Sequence, residues 1–216
     1  MIRWLPQICL NSSLRLVDMM SEAIKRCLDV WISVVTLIFV LPICIAIAIY
    51  LKLSSEEPVF FLQTRTGRYG CSFFVIKFRT MDSVSNGLGE QLSDAARLTR
   101  FGKFLRRFSL DELPQLINVV KGEMSLVGPR PLLPEYIELY SRFQSRRLQV
   151  KPGLTGIAQI RGRNGLTWKK RFQLDFWYVE NRSLLLDLKI MLCTVVTIFS
   201  GRGVADASGT MTKFGA

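Results

Sequence analysis

Hydrophobic residues in this chain are gathered into a few places rather than spread along it. The longest uncharged run, VWISVVTLIFVLPICIAIAIYL from Val30 to Leu51, holds 22 residues. As one helix it reaches about 33 Å, enough to cross the hydrocarbon core of a bilayer. A buried helix of a soluble domain is not expected to be so long and so uniformly apolar. A cleaved signal peptide fits poorly, because the run starts late and is long, although Ala46 and Ala48 resemble a cleavage site. Pro42 falls near the middle, where it removes a backbone hydrogen bond and crowds the preceding turn, so a kink or break is expected there. Arg15, Lys25 and Arg26 precede the run, and Lys52, Arg65 and Arg68 follow it. Positive charge on both flanks gives neither end a preference for the inside. A spanning helix fits these residues, and so does a hairpin that dips in, turns at Pro42 and leaves by the same face.

Elsewhere the pattern is that of a small mixed domain. Pro58 to Met81 predicts two strands, around Val59–Gln63 and Ser72–Phe78, joined by a turn with Gly67 and Gly70. Asp82 to Ala96 is polar and predicts a loop; Leu98–Arg107 predicts a basic helix, and Leu116–Lys121 another helix. Glu135 to Leu148 sets Tyr136, Ile137, Tyr140 and Phe143 against Arg142, Arg146 and Arg147, the pattern of an amphipathic helix touching lipid headgroups. Beyond Lys151, PGLTGIAQIRGRNG predicts extended or looped chain. Ser183 to Phe199 is strongly apolar but interrupted by Asp187 and Lys189, which suits a core or a membrane surface better than a span. The expected class is α+β: a mainly helical, membrane-associated domain with a small β-hairpin. Its expected divisions are an amphipathic leader (1–24), a membrane helix (25–53), a globular domain (54–200) and a small polar tail (201–216).

Charge narrows the partners. The 216 residues include 29 Lys and Arg against 17 Asp and Glu, a net charge of +12, so anionic partners are expected: phosphates, acidic headgroups or nucleic acid. Apolar residues make up 49% and charged residues 21%, with mean hydropathy +0.25. Histidine is absent, which removes the usual general acid–base and the commonest zinc ligand. Cys9, Cys27, Cys44, Cys71 and Cys193 are odd in number and lack CxxC spacing, so buried reduced thiols are expected rather than disulfides or a metal site.

The residues that bear on chemistry are Arg106, Asp111, Glu112 and Arg130. Asp111 and Glu112 are adjacent acids just before the helix through Leu116–Lys121. Ser109 with Glu112 has capping-box spacing, whereas Pro114 favours a later helix start. Either way the acids stand beside a helix N-terminus, where the dipole and nearby arginines favour ionisation. Taken alone, such a pair is an ordinary cap. Its context differs: Arg106 and Arg107 lie just upstream, and Arg130 sits between Pro129 and Pro131, whose fixed backbone can hold a guanidinium fork for phosphate oxygens. Acids beside phosphate need a cation, and a divalent ion, magnesium first, suits oxygen ligands without histidine.

Five stretches occur in order: Lys25-Arg26-Cys27-Leu28-Asp29, QTRTGRYG from Gln63, Lys77-Phe78-Arg79-Thr80-Met81, SLDELPQLINVVKGEMSLVGPRPLL from Ser109, and KPGLTGIAQIRGR from Lys151. Through them the chain resembles the monotopic phosphoglycosyl transferases, the bacterial sugar transferases that start glycan assembly on polyprenol phosphate. The likeness runs from about Lys25 to the C-terminus. It implies a re-entrant membrane helix broken near Pro42, and a catalytic domain on the cytoplasmic face of the bacterial inner membrane. It also implies that Asp111 is a nucleophile that displaces UMP from a UDP-sugar and holds the phosphosugar until polyprenol (undecaprenyl) phosphate attacks. Glu112 is then the dyad partner, handling a proton or metal, and magnesium is the cofactor, held partly by Asp111. Lys77, Arg106 and the Pro129-Arg130-Pro131 turn match positions near phosphates or nucleotide. The implied partners are a UDP-sugar, polyprenol phosphate and membrane lipids, with no nucleic acid. Ile157 departs from the likeness, standing where many members carry tryptophan, and the first twenty or so residues lie outside it. With no multi-helix membrane region ahead of Lys25, the expected branch is the small, catalytic-domain-only one. The tail Gly209-Thr210-Met211-Thr212-Lys213-Phe214 resembles members that use N-acetylated amino-sugar donors.

Two other classes predict different behaviour. A membrane-tethered protein that binds nucleic acid or anionic lipid would use the basic stretch around Phe101, Phe104 and Phe108, and its salt-sensitive binding would survive Asp111→Asn. A structural anchor would release no UMP from any UDP-sugar. The first of these leaves the acid pair, Gly128-Pro129-Arg130-Pro131 and the broken apolar helix unexplained.

Overall fold

A computed structural model of the chain describes residues 12–82, 93–162, 165–200 and Phe214. Its first element, α1, runs without interruption from Ser12 to Ser54, 43 residues with Pro42 inside. The break expected at Pro42 is therefore not a gap in helical structure; the proline ring fixes φ near a helical value, so a long helix can carry it at the loss of one hydrogen bond. Ser21–Ser54 is long and apolar enough to cross a membrane by length and composition.

After α1 comes the antiparallel hairpin of β1 (Phe60–Thr66) and β2 (Ser72–Phe78), in register from Phe60 opposite Phe78 to Thr66 opposite Ser72. The helical turn α2 (Asp94–Arg97) and the basic helix α3 (Arg100–Arg107) follow, then a 3-10 turn at Leu110–Glu112 and α4 (Gln115–Lys121). Strand β3 (Ser125–Val127) pairs in parallel with β4 (Gly153–Thr155), and α5 (Ile157–Arg161), α6 (Trp168–Asn181) and α7 (Leu184–Ser200) complete the described chain. The mixed, mainly helical class stands, as do the hairpin and the helix before Lys121. The stretch after Lys151 is more ordered than expected, since it contributes a strand and a short helix. Most of the polar loop after Asp82 and of the tail lies outside the described residues, as does Cys9.

Glu135–Leu148 is not one amphipathic helix. Two 3-10 segments, Pro134–Leu139 and Gln144–Gln149, stand there instead. Between them Ser141 and Gln144 bond each other's main-chain N–H through their side chains, a local alternative to helical bonding. The buried Arg147 belongs to the interior and not to a headgroup-facing surface. Cysteine placement also differs from expectation: Cys27, Cys71 and Cys193 are free but exposed, and Cys44 is half-buried, because they occupy outward positions on α1, the hairpin turn and α7.

The core has two parts, and α1 enters both. Phe73 and Val75 of β2, Leu116 and Val119 of α4, Met124, Leu126, Val127, Ile157, Tyr178 and Ile190 form the larger part, with Ile32, Leu37 and Val40 of α1 against it. Ile47, Phe78 and Leu105 form the smaller, joined by Cys44, Ala48 and Leu51. Polar ties fix the two ends of the apolar run to the same domain. Arg26 donates to the carbonyls of Val119 (2.6 Å) and Val120 (2.9 Å), adding charged donors to the last carbonyls of α4 beside the Gly122 N–H cap on Val119. Asp29 accepts from the Ser125 hydroxyl, and Lys25 reaches Asp187 of α7 at 2.5 Å. Past the run, Glu57 pairs with Arg79, which also donates to the carbonyl of Pro58. Trp31, Ile38, Phe39, Ile45, Ile49 and Leu53 point away from the domain, exposed.

Candidate active site

Asp111 and Glu112 lie in the 3-10 turn, entered through Ser109 in the left-handed region (φ 55°, ψ 24°), a conformation sparsely populated by non-glycine residues. The Ser109–Glu112 capping box does not form, since the Ser109 side chain makes no cap bond. Pro114 instead precedes a helix that starts at Gln115, the later start that its presence favours. Glu112 is engaged elsewhere: Lys77 donates to its Oε1 at 2.7 Å and Arg130 to the same oxygen at 2.6 Å. Asp111 is buried, 8% exposed, yet no hydrogen bond or ion pair to its carboxylate occurs among the described residues.

The two acids are thereby pushed apart in acidity. Burial works against ionising Glu112, but Arg130 and Lys77 outweigh it and hold the carboxyl far below the usual range. For Asp111, burial and the neighbouring Glu112 charge raise the pKa, against the pull of Lys77, Arg106 and Arg130. Opposed environments at adjacent carboxyls are the usual sign of divided roles. Here one acid is clamped as a charge and the other carries no such clamp among the described residues.

Each cation is delivered by a different element. Lys77 comes from β2, which the buried Asn118 of α4 holds by accepting from the Ile76 N–H and donating to the Phe74 carbonyl. Arg106 comes from α3, and its Nε donates to the Thr80 hydroxyl at 2.9 Å. Thr99 caps α3 by accepting from the Gly102 N–H. A Cβ at Gly102 would stand 2.1 Å from the Thr80 carbonyl oxygen, so only glycine lets α3 come close enough for that contact.

Arg130 projects from a turn whose successive carbonyls are all occupied. Pro129 accepts from the Gly153 N–H, Arg130 from Arg147 (2.5 Å), Pro131 from Arg65 (3.5 Å) and Leu132 from the Thr66 N–H. Arg147 also pairs with Asp175 at 3.0 Å, both side chains 4% exposed, and donates to the Tyr140 hydroxyl. Burial raises the Asp175 pKa, and Arg147 and Arg171 oppose it.

The sequence-derived residues Lys77, Arg106, Asp111, Glu112 and Arg130 with its flanking prolines thus converge, whereas Pro42 lies apart within α1. Sequence reasoning missed four contributors. Arg65, whose pKa burial and Arg130 lower to about 10, adds a cation beside the dyad, and Thr80 orients Arg106. Both were visible inside the QTRTGRYG and KFRTM stretches. Arg147 and Asp175 carried no local signal beyond the four-residue spacing of Arg171 and Asp175. Next to them, Tyr136, Tyr140, Trp168 and Phe172 gather around Phe214, with ring centroids 5.1 to 6.0 Å from it. The tail aromatic therefore belongs to this side of the site. Among the described residues cations outnumber carboxylates around the dyad, a charge balance that favours an anionic ligand.

Comparison with known proteins identifies a family. The family model described as bacterial sugar transferase matches residues 20–201. The uncharacterized sugar transferase EpsL of Bacillus subtilis is 46% identical over 185 residues, covering 86% of this chain and 92% of EpsL. A UDP-glucose:undecaprenyl-phosphate glucose-1-phosphate transferase of Caulobacter vibrioides is 40% identical over 186 residues, 82% of this chain and 70% of its own. One of the same name from Xanthomonas campestris pv. campestris is 42% identical over 185 residues, 81% of this chain but 38% of its own. Because the matched segment holds the dyad, every cation around it and the elements that aim them, the chain belongs to the bacterial sugar transferase family.

Proposed function

We propose that the protein transfers a sugar 1-phosphate from a UDP-sugar to undecaprenyl phosphate, releasing UMP, as the first membrane step of polysaccharide or glycoconjugate assembly. The observation that carries this reading is the divided dyad, with a buried Asp111 that has no hydrogen-bond or ion-pair partner among the described residues beside a clamped Glu112. The names of the Caulobacter and Xanthomonas relatives supply the donor and acceptor classes.

In this mechanism the diphosphate of the donor lies among Lys77, Arg106, Arg130 and Arg65. An oxygen of the Asp111 carboxylate attacks the phosphorus that bears the sugar. The bond from that phosphorus to the bridging oxygen breaks, UMP leaves with the electron pair, and the phosphosugar remains on Asp111. A phosphate oxygen of the lipid then attacks the same phosphorus and frees the carboxylate, giving a sugar diphospholipid. Arg130 and Lys77 cannot neutralise the donor if they swing away, so Glu112 keeps them in place between turnovers. Magnesium is part of the proposal. No group of three or more His, Cys, Asp or Glu side chains converges among the described residues, so an all-protein cage is missing, but an ion shared with substrate phosphates needs one free carboxylate. Asp111 would hold it, and the ion would offset diphosphate charge.

The anchoring of α1 supports a monotopic arrangement. Arg26, Asp29 and Lys25 fasten one end of the apolar run to the catalytic domain, and Glu57 and Pro58 fasten the other. A run whose two ends are held by one domain stays on the face where that domain stands, here the cytoplasmic face of the inner membrane. The bare apolar side of α1 and the exposed Leu185, Leu188, Leu192 and Val196 of α7 are the lipid-contacting surfaces. Nucleic acid does not enter this reading, since its cations converge on the dyad. The donor expected from the tail is an N-acetylated amino sugar.

The test is UMP release from a panel of UDP-sugars with undecaprenyl phosphate and magnesium, followed by trapping with sugar-phosphate-labelled donor. Label on Asp111 is the expected result. Release without any label on that residue would leave direct transfer between the substrates instead.

A further inference from the structure

A line of aromatic rings leads from α1 to the reactive turn. Tyr50 of α1 and Phe101 of α3 have centroids 4.1 Å apart, Phe101 and Phe104 6.1 Å, and Phe104 and Phe108 5.1 Å. Positions 101 and 104 share one face of α3 by helical spacing, and Phe108 caps its C-terminus. Packing explains only part of this face. Leu105 is fully buried against Ile47, and Phe101 is partly buried beside it, but Tyr50 is 50% and Phe104 49% exposed. Large rings left half in solvent give up part of the stabilisation that burial supplies, so a partner for them is expected.

The ends of the line show what kind. At one end Tyr50 adjoins Ile49 and Leu53, on the exposed apolar side of α1. At the other, Phe108 is followed directly by Ser109 and the Asp111 turn. Positive charge gathers at that chemical end: the Arg107 guanidinium stands 5.6 Å over the Phe108 ring, and Arg106 is tied to Thr80 beside the dyad. Rings serving only to anchor α3 in a bilayer would need no such direction. An apolar path that starts at the lipid-facing helix and ends among guanidinium groups fits a long hydrocarbon chain with a phosphate head.

We propose that Tyr50, Phe101, Phe104 and Phe108 form the track that receives the isoprenoid chain of the acceptor, with Arg107 meeting its phosphate. This rests on the acceptor class argued above. The branched, unsaturated chain lies along the ring faces and edges, where aromatic side chains offer large apolar contact. Its phosphate arrives at the side of Asp111 reached through α3, while the donor is held by Lys77 and Arg130.

Two measurements on the full-length protein in detergent test the track. The first compares undecaprenyl phosphate with a short soluble acceptor, dimethylallyl phosphate, in UMP release. Phe104→Ala should cut the kcat/KM preference for the long acceptor about tenfold, a change worth 1.4 kcal/mol, and Phe104→Leu should restore most of it. An equal loss with both acceptors, or an intact preference, would overturn the track. The second uses a farnesyl phosphate bearing a terminal diazirine on the Asp111→Asn variant, so that no turnover is needed. Labelled peptides from α3 and around Tyr50 are expected; label confined to α7 would sink the idea. Labelling of α3 in a protein that releases UMP from no UDP-sugar would retain the track and remove the transfer reading.

Discussion

The Lys77 ammonium stands 2.7 Å from Oε1 of Glu112, the same oxygen that Arg130 approaches to 2.6 Å. One carboxylate thus restrains two cations from different parts of the fold while its neighbour, Asp111, has no such partner among the described residues. The arrangement has consequences for acidity that separate the two partners. The negative charge of Glu112 raises the Asp111 pKa, and the positive charge of Lys77 lowers it. If Asp111 reacts as its anion, Glu112→Gln should move the acidic limb of the kcat/KM–pH profile to lower pH. Lys77→Met should move it to higher pH, with a rate loss on the order of 100-fold. Shifts of the same sign in both variants would exclude Asp111 as the titrating group.

Asp111→Asn should lower transfer by a factor on the order of 10^4 or more, as removal of a nucleophile does, yet it should not destabilise the protein. The folded-state pKa of Asp111 is raised, chiefly by burial. Any stability from this group is therefore present below its unfolded pKa and is lost as pH rises through the folded value. At neutral pH the buried charge is a cost that asparagine removes. Thermal melts should give the variant an equal or higher midpoint at pH 7.5, with the difference vanishing in acid. A clearly lower midpoint would mean that Asp111 is a structural cap.

Asp175→Ala should affect the protein differently. Arg147 would keep its buried charge without its partner, which typically costs about 3–5 kcal/mol. For a chain of this size each kcal/mol moves the melting midpoint by about 2–4 °C. Because Arg147 also holds the Arg130 carbonyl, the donor KM should rise more than kcat falls. A wild-type melt together with a wild-type donor KM would show that this buried pair supports neither fold nor site.

The membrane arrangement can be read by labelling. In a background without other cysteines, Ser21→Cys and Glu56→Cys place single thiols at exposed positions on either side of the apolar run. Both should react with an impermeant maleimide from the cytoplasmic side of inverted vesicles, and neither from the outside of intact spheroplasts. Protection of one thiol and reaction of the other would establish a spanning helix.

Much of this site could be read from the sequence because its chemistry is carried by short, ordered stretches. Asp111, Glu112, Arg106 and Arg130 lie within or next to runs whose residue types already match a phosphate site, and the hairpin that brings Lys77 shows two clear apolar strands. What stayed hidden depends on contacts between distant parts of the chain. Nothing in the spacing of Arg147 tells that it turns inward to Asp175 and to the Arg130 carbonyl; its neighbours Arg142 and Arg146 are exposed, and all three fit the same amphipathic pattern. Ser109 and Glu112 had the right spacing for a capping box, but Lys77 and Arg130 offer Glu112 charged partners that a single backbone N–H cannot match. Pro42 illustrates the limit of a local rule: the residue that ends most helices is accommodated within a helix of 43 residues.

The double fastening of α1 also decides what can be separated in this protein. Lys25 meets Asp187, 162 positions later in the chain, and Ile32, Val40 and Ile47 are built into the two cores, the smaller of which Leu110 of the Asp111 turn also joins. During synthesis this apolar segment leaves the ribosome long before α7 exists to hold it. Trimming α1 away to obtain a water-soluble enzyme would therefore take out part of the floor on which the reactive turn is set.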